Sequence, residues 1–121
     1  MVDVKKLLID TLMDEFGYPV FLQGSLSEDD AYPEAFFTYW NNETNDDAFY
    51  SNAESWTIWN FDLNFYANDP VLVNSALLDA KLALKAVGFI PSGSGYDVIS
   101  DEITHTGRGL NLIYIQKKER S

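Results

Sequence analysis

Between Val4 and Phe16 apolar residues recur every three or four positions, at Val4, Leu7, Leu8, Leu12 and Phe16. Asp3, Lys5, Lys6, Asp10 and Asp14 fall largely opposite, so the spacing predicts an amphipathic helix over 3–16. Asp3 is placed to cap its start and Gly17 to end it. "YPVFLQ" reads as a short strand with Pro19 near its start or on an edge. "GSLSEDDAYPE" has loop composition. "AFFTYW" (35–40) reads as an aromatic-rich strand, and the polar run 41–54 after it as a loop. Over 55–67 the period becomes two. Trp59, Phe61, Leu63 and Phe65 alternate with Asn60, Asp62 and Asn64, the pattern of an antiparallel strand with one face buried and one wet.

A second helix is expected from Pro70, with Asp69 as its N-cap, to about Val87, where Gly88 stops it. Val73, Ala76, Leu77, Ala80, Leu84 and Val87 form its inner stripe, with Asn74, Asp79, Lys81 and Lys85 outward. "PSGSG" (91–95) reads as a flexible turn. The remainder holds one or two strands, the clearest being "LNLIYIQ" (110–116), with Gly107 and Gly109 marking a bulge or a turn. The order helix, strand, hairpin, helix, strand or strands predicts an α+β domain. Its expected form is an antiparallel or mixed sheet of about four to five strands, two helices on one face and a long hairpin loop. With no repeat or linker, residues 1–121 are expected to form one domain.

Composition agrees. A chain of 121 residues that is 46% hydrophobic buries roughly two-thirds of its unfolded surface, enough for a core. The absence of cysteine excludes disulfides and thiolate metal sites. Acids interrupt the apolar residues of the N-terminal segment, unlike a signal peptide, and no apolar run approaches the ~18 residues of a membrane span. Charge says more. The formal net charge is −11, and from Leu7 to Ala80 there are fourteen acids and no base. Such a chain does not bind nucleic acid by neutralising phosphate, which needs clustered Lys and Arg.

Candidate chemistry is sparse. His105, the one histidine, follows Asp101 and Glu102, so an acid–base pair in a small hydrolase or isomerase is one reading and a packing histidine the other. "GSLS" and "SGSG" lack the setting of a nucleophile elbow, and "SGSGYD" lacks the third glycine and Lys-Ser/Thr pair of a phosphate loop. In "ETNDDAFYSNAE", Asn45, Asp46 and Asp47 are consecutive and no glycine follows, so no calcium loop is built. Asn42-Glu43-Thr44 matches a glycosylation sequon that, without a secretory signal, reads as coincidence. Trp40 and Trp56, with Asn42 nearby and Trp59 in the same segment, form either an aromatic platform for a sugar or small ligand, or packing and interface surface. No catalytic residue, cofactor or metal is assigned.

One resemblance spans nearly the whole chain. It rests on the N-terminal helix followed by "YPVF", on "PEAFFTYW" leading into an extended segment, and on "WTIWNFDLNFYA" entering a helix at "NDPVLVNSALLDAKLALKAVGF". It ends with "YDVISDEITHTGRGLNLIYI", where an acidic pair precedes a His/Gly/Arg group and an apolar strand. In this order the chain resembles the tail terminator and tail-completion proteins of long-tailed bacteriophages, which join tail to head. The resemblance implies a non-enzymatic virion protein, without cofactor or metal, assembled in the host cytoplasm into a homo-oligomeric ring, usually a hexamer. Its implied partners are the tail-tube protein and the head connector or stopper; a head-side stopper role is the neighbouring alternative. It also implies that the hairpin segment faces the tube or lumen, so that Glu43, Asn45, Asp46, Asp47, Phe49 and Tyr50 are expected assembly or lumen residues. Trp40 and Trp56 are expected interface aromatics. DNA would pass such an acidic wall without specific binding, and no membrane is involved.

Overall fold

The structure, a computed structural model, describes residues 3–22, 33–48, 55–100 and 104–117. Seven elements follow in order: α1 (Val4–Phe16), β1 (Val20–Leu22), β2 (Ala35–Ala48), β3 (Ser55–Ala67), α2 (Pro70–Ala86), β4 (Ile90–Val98) and β5 (Thr106–Lys117). Among the described residues the strands form one five-stranded sheet in the order β1-β2-β3-β5-β4. β1 runs parallel to β2 and every other pair is antiparallel, so the sheet is mixed and the class α+β, as the pattern predicts.

The helix ends are set by the expected residues. The Asp3 carboxylate accepts from the Lys6 N–H, and Gly17, at φ 73°, takes the left-handed conformation that closes α1. The Asp69 side chain accepts from Val71 N–H, Pro70 opens α2, and Gly88 at φ 108° turns the chain away from it. Val4, Leu8 and Leu12 of α1 and Val73, Ala76, Leu77, Ala80 and Leu84 of α2 are buried. Val87 departs from the expected stripe. It is the C-cap of α2 and 38% exposed, because the helix ends before it can turn inward.

Both helices cover one face of the sheet. There Ala35, Phe37, Phe61, Leu63, Phe65, Ala67, Leu110 and Leu112 meet them in one core. The register explains the grouping: Phe37 pairs with Phe65, Leu63 with Leu110, and Phe61 with Leu112, so alternate positions of three strands stack on the same side. Phe37 and Phe65 have ring centroids 4.6 Å apart and are fully buried. Each such burial contributes about 1.5–3 kcal/mol relative to exposure.

Three expectations are corrected. The run 41–54 is not a loop throughout, since β2 continues through Asn41–Ala48 and pairs residue by residue with β3 back to Ser55. A bulge between Asn41 and Glu43 absorbs one extra residue, Asn42. "PSGSG" is not a free turn but part of edge strand β4, whose register shifts between Ser92 and Tyr96. Gly93 (φ 75°) and Gly95 (φ 106°) supply that irregularity. Gly107 and Gly109 lie inside β5, which pairs with β3 without interruption, so the bulge belongs to the facing strand.

Candidate assembly surfaces

No helix packs on the second face of the sheet among the described residues. At one end this face carries a small aromatic cluster. Phe36, 2% exposed, contacts Phe21 (6.0 Å), Tyr66 (5.3 Å) and His105 (6.0 Å). Further along, polar side chains replace the rings. Asn111 Nδ2 donates to Asn60 Oδ1 at 2.8 Å and to Asp62 Oδ1 at 3.3 Å, while the Tyr96 hydroxyl donates to Asp62 Oδ1 at 3.3 Å. Burial, then the Asp62 carboxylate, raise the Tyr96 pKa above its ordinary value, since both oppose a phenolate. Thr38 and Asn64 stand opposite each other on β2 and β3 and are each 7% exposed. Thr38 Oγ1 and Asn64 Oδ1 have no hydrogen-bond partner among the described residues. Period-two alternation on β3 announces Asn60, Asp62 and Asn64; Tyr96 and Asn111 come from other strands and have no local signal.

Beyond this ladder the sheet narrows. β4 pairs with β5 only as far as Ile90 opposite Ile113, whereas β2, β3 and β5 continue. Thr44–Ala48, Ser55–Trp59 and Tyr114–Lys117 therefore form a three-stranded arm past the end of β4. Five further residues of strand give it a reach of about 16 Å. Of the expected assembly residues, Asn45, Asp46 and Asp47 stand on this arm, opposite Ile58, Thr57 and Trp56, and Glu43 stands at its foot, opposite Asn60 and level with Ile90. Phe49 and Tyr50 lie outside the described residues. Asn42, the sequon asparagine, is exposed at the bulge, and its Nδ2 lies 3.4 Å from Asn60 Oδ1.

The indoles are not brought together. Trp59 turns to the helical face, packs against the core, stacks on Phe61 and donates its N–H to Gln116 Oε1 at 3.2 Å. Trp40 is 47% exposed and stands opposite Asp62 on the other face. Trp56, half-buried, shares that face but lies six residues of β3 from Asp62, about 20 Å along the strand. Trp40 and Trp56 therefore do not wall a single small-ligand site.

His105 is a fastening. Its Nε2 lies 2.8 Å from the Pro33 carbonyl, which only accepts, so Nε2 carries the proton. Nδ1 lies 2.9 Å from Thr104 Oγ1. The ring thereby joins the segment before β5 to the segment before β2. Asp101 and Glu102, the proposed acid partners, lie outside the described residues. A shallow groove of about 380 Å³ beside His105 is lined by Pro70, Val73, Asn74, Asp97, Ser100 and Arg108, among others, and Arg108 pairs with Asp97 at 2.8 Å. A second, of about 580 Å³, lies at the β4 edge. It is lined by Lys81 and Lys85 of α2 and by Phe89, Ile90 and Pro91, among others. Lys81 Nζ donates to the Gly93 carbonyl at 2.8 Å. Sequence reasoning places both lysines outward, but not beside the start of β4.

Among the described residues no group of three or more His, Cys, Asp or Glu could hold a metal ion, and no helix is long and apolar enough to cross a membrane. Compared with known proteins, the chain matches no family model and no curated sequence.

Proposed function

We propose that this chain is the subunit of a ring that caps the tail tube of a long-tailed bacteriophage or prophage and joins it to the head connector. The observation that carries the reading is the acidic arm: Thr44–Ala48 is held as a strand past the end of β4, on a sheet whose helices, among the described residues, lie on one side. An arm of this kind projects from the subunit core while the core stays closed behind it. The order of elements that resembles the tail terminators supports the same reading. In the ring, the arms face the axis, and their carboxylates repel phosphate, so DNA passes without binding. The subunit is a structural protein and performs no catalysis. It acts in the neck of the virion and assembles in the host cytoplasm.

The separation of Trp40 from Trp56 disfavours the reading as a carbohydrate- or small-ligand-binding domain. The test is tail completion. Particles made without this chain are expected to carry tubes of uncontrolled length or tails unjoined to heads, seen by electron microscopy, and the purified chain is expected to restore joining. Normal, head-joined tails in its absence would overturn the proposal. Restoration of the head side alone, with tubes already of correct length, would reassign the chain to the stopper position.

A further inference from the structure

We infer that copies of this chain associate by seating the outer side of α2 of one copy on the uncovered face of the sheet of the next. This rests on the ring-subunit reading and names the two surfaces that build the ring.

α2 is apolar on two opposite sides. One side packs into the core through Val73, Leu77 and Leu84. The other carries Val71, Leu78 and Leu82, which are 76%, 58% and 59% exposed. At about 100° per residue these three fall within about 40° of one another, and the buried Ala80 lies about 180° from Val71. A helix with apolar stripes on both sides is suited to lie between two layers.

The second face of the sheet offers a matching surface. The register sets Ile90 beside Ile113 and Ile58 beside Ile115, and Ile113 and Ile115 are two residues apart on one side of β5. Four isoleucines on three neighbouring strands thus form one patch, in which Ile90 is 50% and Ile115 47% exposed. On β3, β4 and β5 the one charge among the described side chains of this face is Asp62. In a chain that is 22% charged, such a patch has the composition of an interface core.

Charge and fit identify the occupant as a second copy. α2 carries two lysines, Lys81 and Lys85, against one acid, Asp79, and Lys85 stands at the side of the stripe, three residues from Leu82. Helix on face therefore opposes unlike charges, whereas helix on helix or face on face would set like against like. α2 has 17 residues and is about 26 Å long, and β3 has 13 and spans about 43 Å, so the helix lies within the face. The contact repeats the helix-on-sheet packing that forms the core.

This contact cannot be reciprocated within a pair. α2 and the uncovered face lie on opposite sides of one sheet, so once they meet, the two surfaces left over point away from each other. Association then continues until it closes as a ring. In outline α2 covers about 260 Å², below the ~800 Å² per partner of a stable pair, so one contact is weak and closure stabilises the set.

The chain lacks cysteine, so introduced thiols report the contact. One full-length variant carries Leu82→Cys and the other Ile115→Cys, both at exposed positions, with circular dichroism as the check on folding. Each alone, and an equimolar mixture, is treated with a short bismaleimide at about 0.1 mM protein, and linked pairs are identified by mass spectrometry. Seated thiols meet at an effective concentration of about 1 mM, so the mixed pair is expected to form at least about 10-fold faster than either self-pair. Adding Leu78→Lys to the first variant is expected to abolish that excess, and an excess that survives it would overturn the stripe as the contact. If Ile115→Cys disturbs folding, Ile90→Cys replaces it. Dominant self-linking of Leu82→Cys would show helix on helix, and of Ile115→Cys face on face; either overturns the interface. Multi-copy assemblies of the wild type without a mixed-pair excess would overturn it too and leave the ring reading standing. A chain without that excess that also stays single, even with tail-tube protein present, would overturn both.

Discussion

Gly107→Ala tests how closely the second face of the sheet is packed. A Cβ at Gly107 would lie 2.6 and 2.7 Å from two Tyr66 ring carbons and 2.8 Å from Val98 Cγ2. Ordinary contact begins at 3.4 Å, so each neighbour must retreat by about 0.6–0.8 Å. Tyr66 has little room to do so, because its ring stacks on Phe36 at 5.3 Å, and Phe36 is 2% exposed. Overpacking of this kind costs about 1–3 kcal/mol. Replacing a mid-strand glycine returns about 0.5–1 kcal/mol, since φ at Gly107 is not in the left-handed region. The net expectation is a loss of about 1–2 kcal/mol, a fall in Tm of about 4–8 °C for a chain of this size. Urea unfolding followed by tryptophan fluorescence measures it. Tyr66→Ala supplies the control: in that background Gly107→Ala is expected to cost far less, giving a coupling of about 1 kcal/mol. If Gly107→Ala is as stable as wild type, the glycine is not kept small by Tyr66.

Three further changes probe the same face of the molecule. His105→Ala removes the Nε2 link to Pro33 and is expected to lower stability by about 1 kcal/mol, read as a lower urea midpoint; an unchanged midpoint would dismiss the fastening role. Because Tyr96 has a raised pKa when folded, it contributes stability that is present below pH ~10 and lost as pH rises through the folded value. Tyr96→Phe is therefore expected to flatten the alkaline decline of the urea midpoint, and Asp62→Asn to flatten it in part, since burial is the larger cause.

Elements with a strong period were legible in the residues. The α1 stripe, the β3 alternation and the caps at Asp3, Gly17 and Asp69 all follow from local chemistry, which tertiary contacts then reinforce. The outer half of β2 was not legible, because Asn, Asp and Glu are poor strand formers. It pairs because β3 offers a long partner from Ser55 onward. β4 was hidden for a related reason: an edge strand tolerates the Pro, Gly and register shift that a central strand would refuse. The groove at the β4 edge was invisible for another. Lys81 and Lys85 belong to α2, while Ile90 and Pro91 belong to β4, and only the turn at Gly88 brings them together.

The extra residue at Asn42 fixes the phase of everything beyond it. Before the bulge, odd-numbered positions of β2 align with core positions of β3, as Phe37 does with Phe65; after it, Thr44 and Asp46 align with Trp59 and Thr57 instead. Loss of that single residue would restore the earlier phase and exchange the two sides of the outer strand, with composition and charge almost unchanged. The acidic content of the arm is therefore the tolerant part of its design. Its count of residues is the unforgiving part, and single-residue insertions or deletions at this point should be far rarer among functional variants than exchanges of one acid for another.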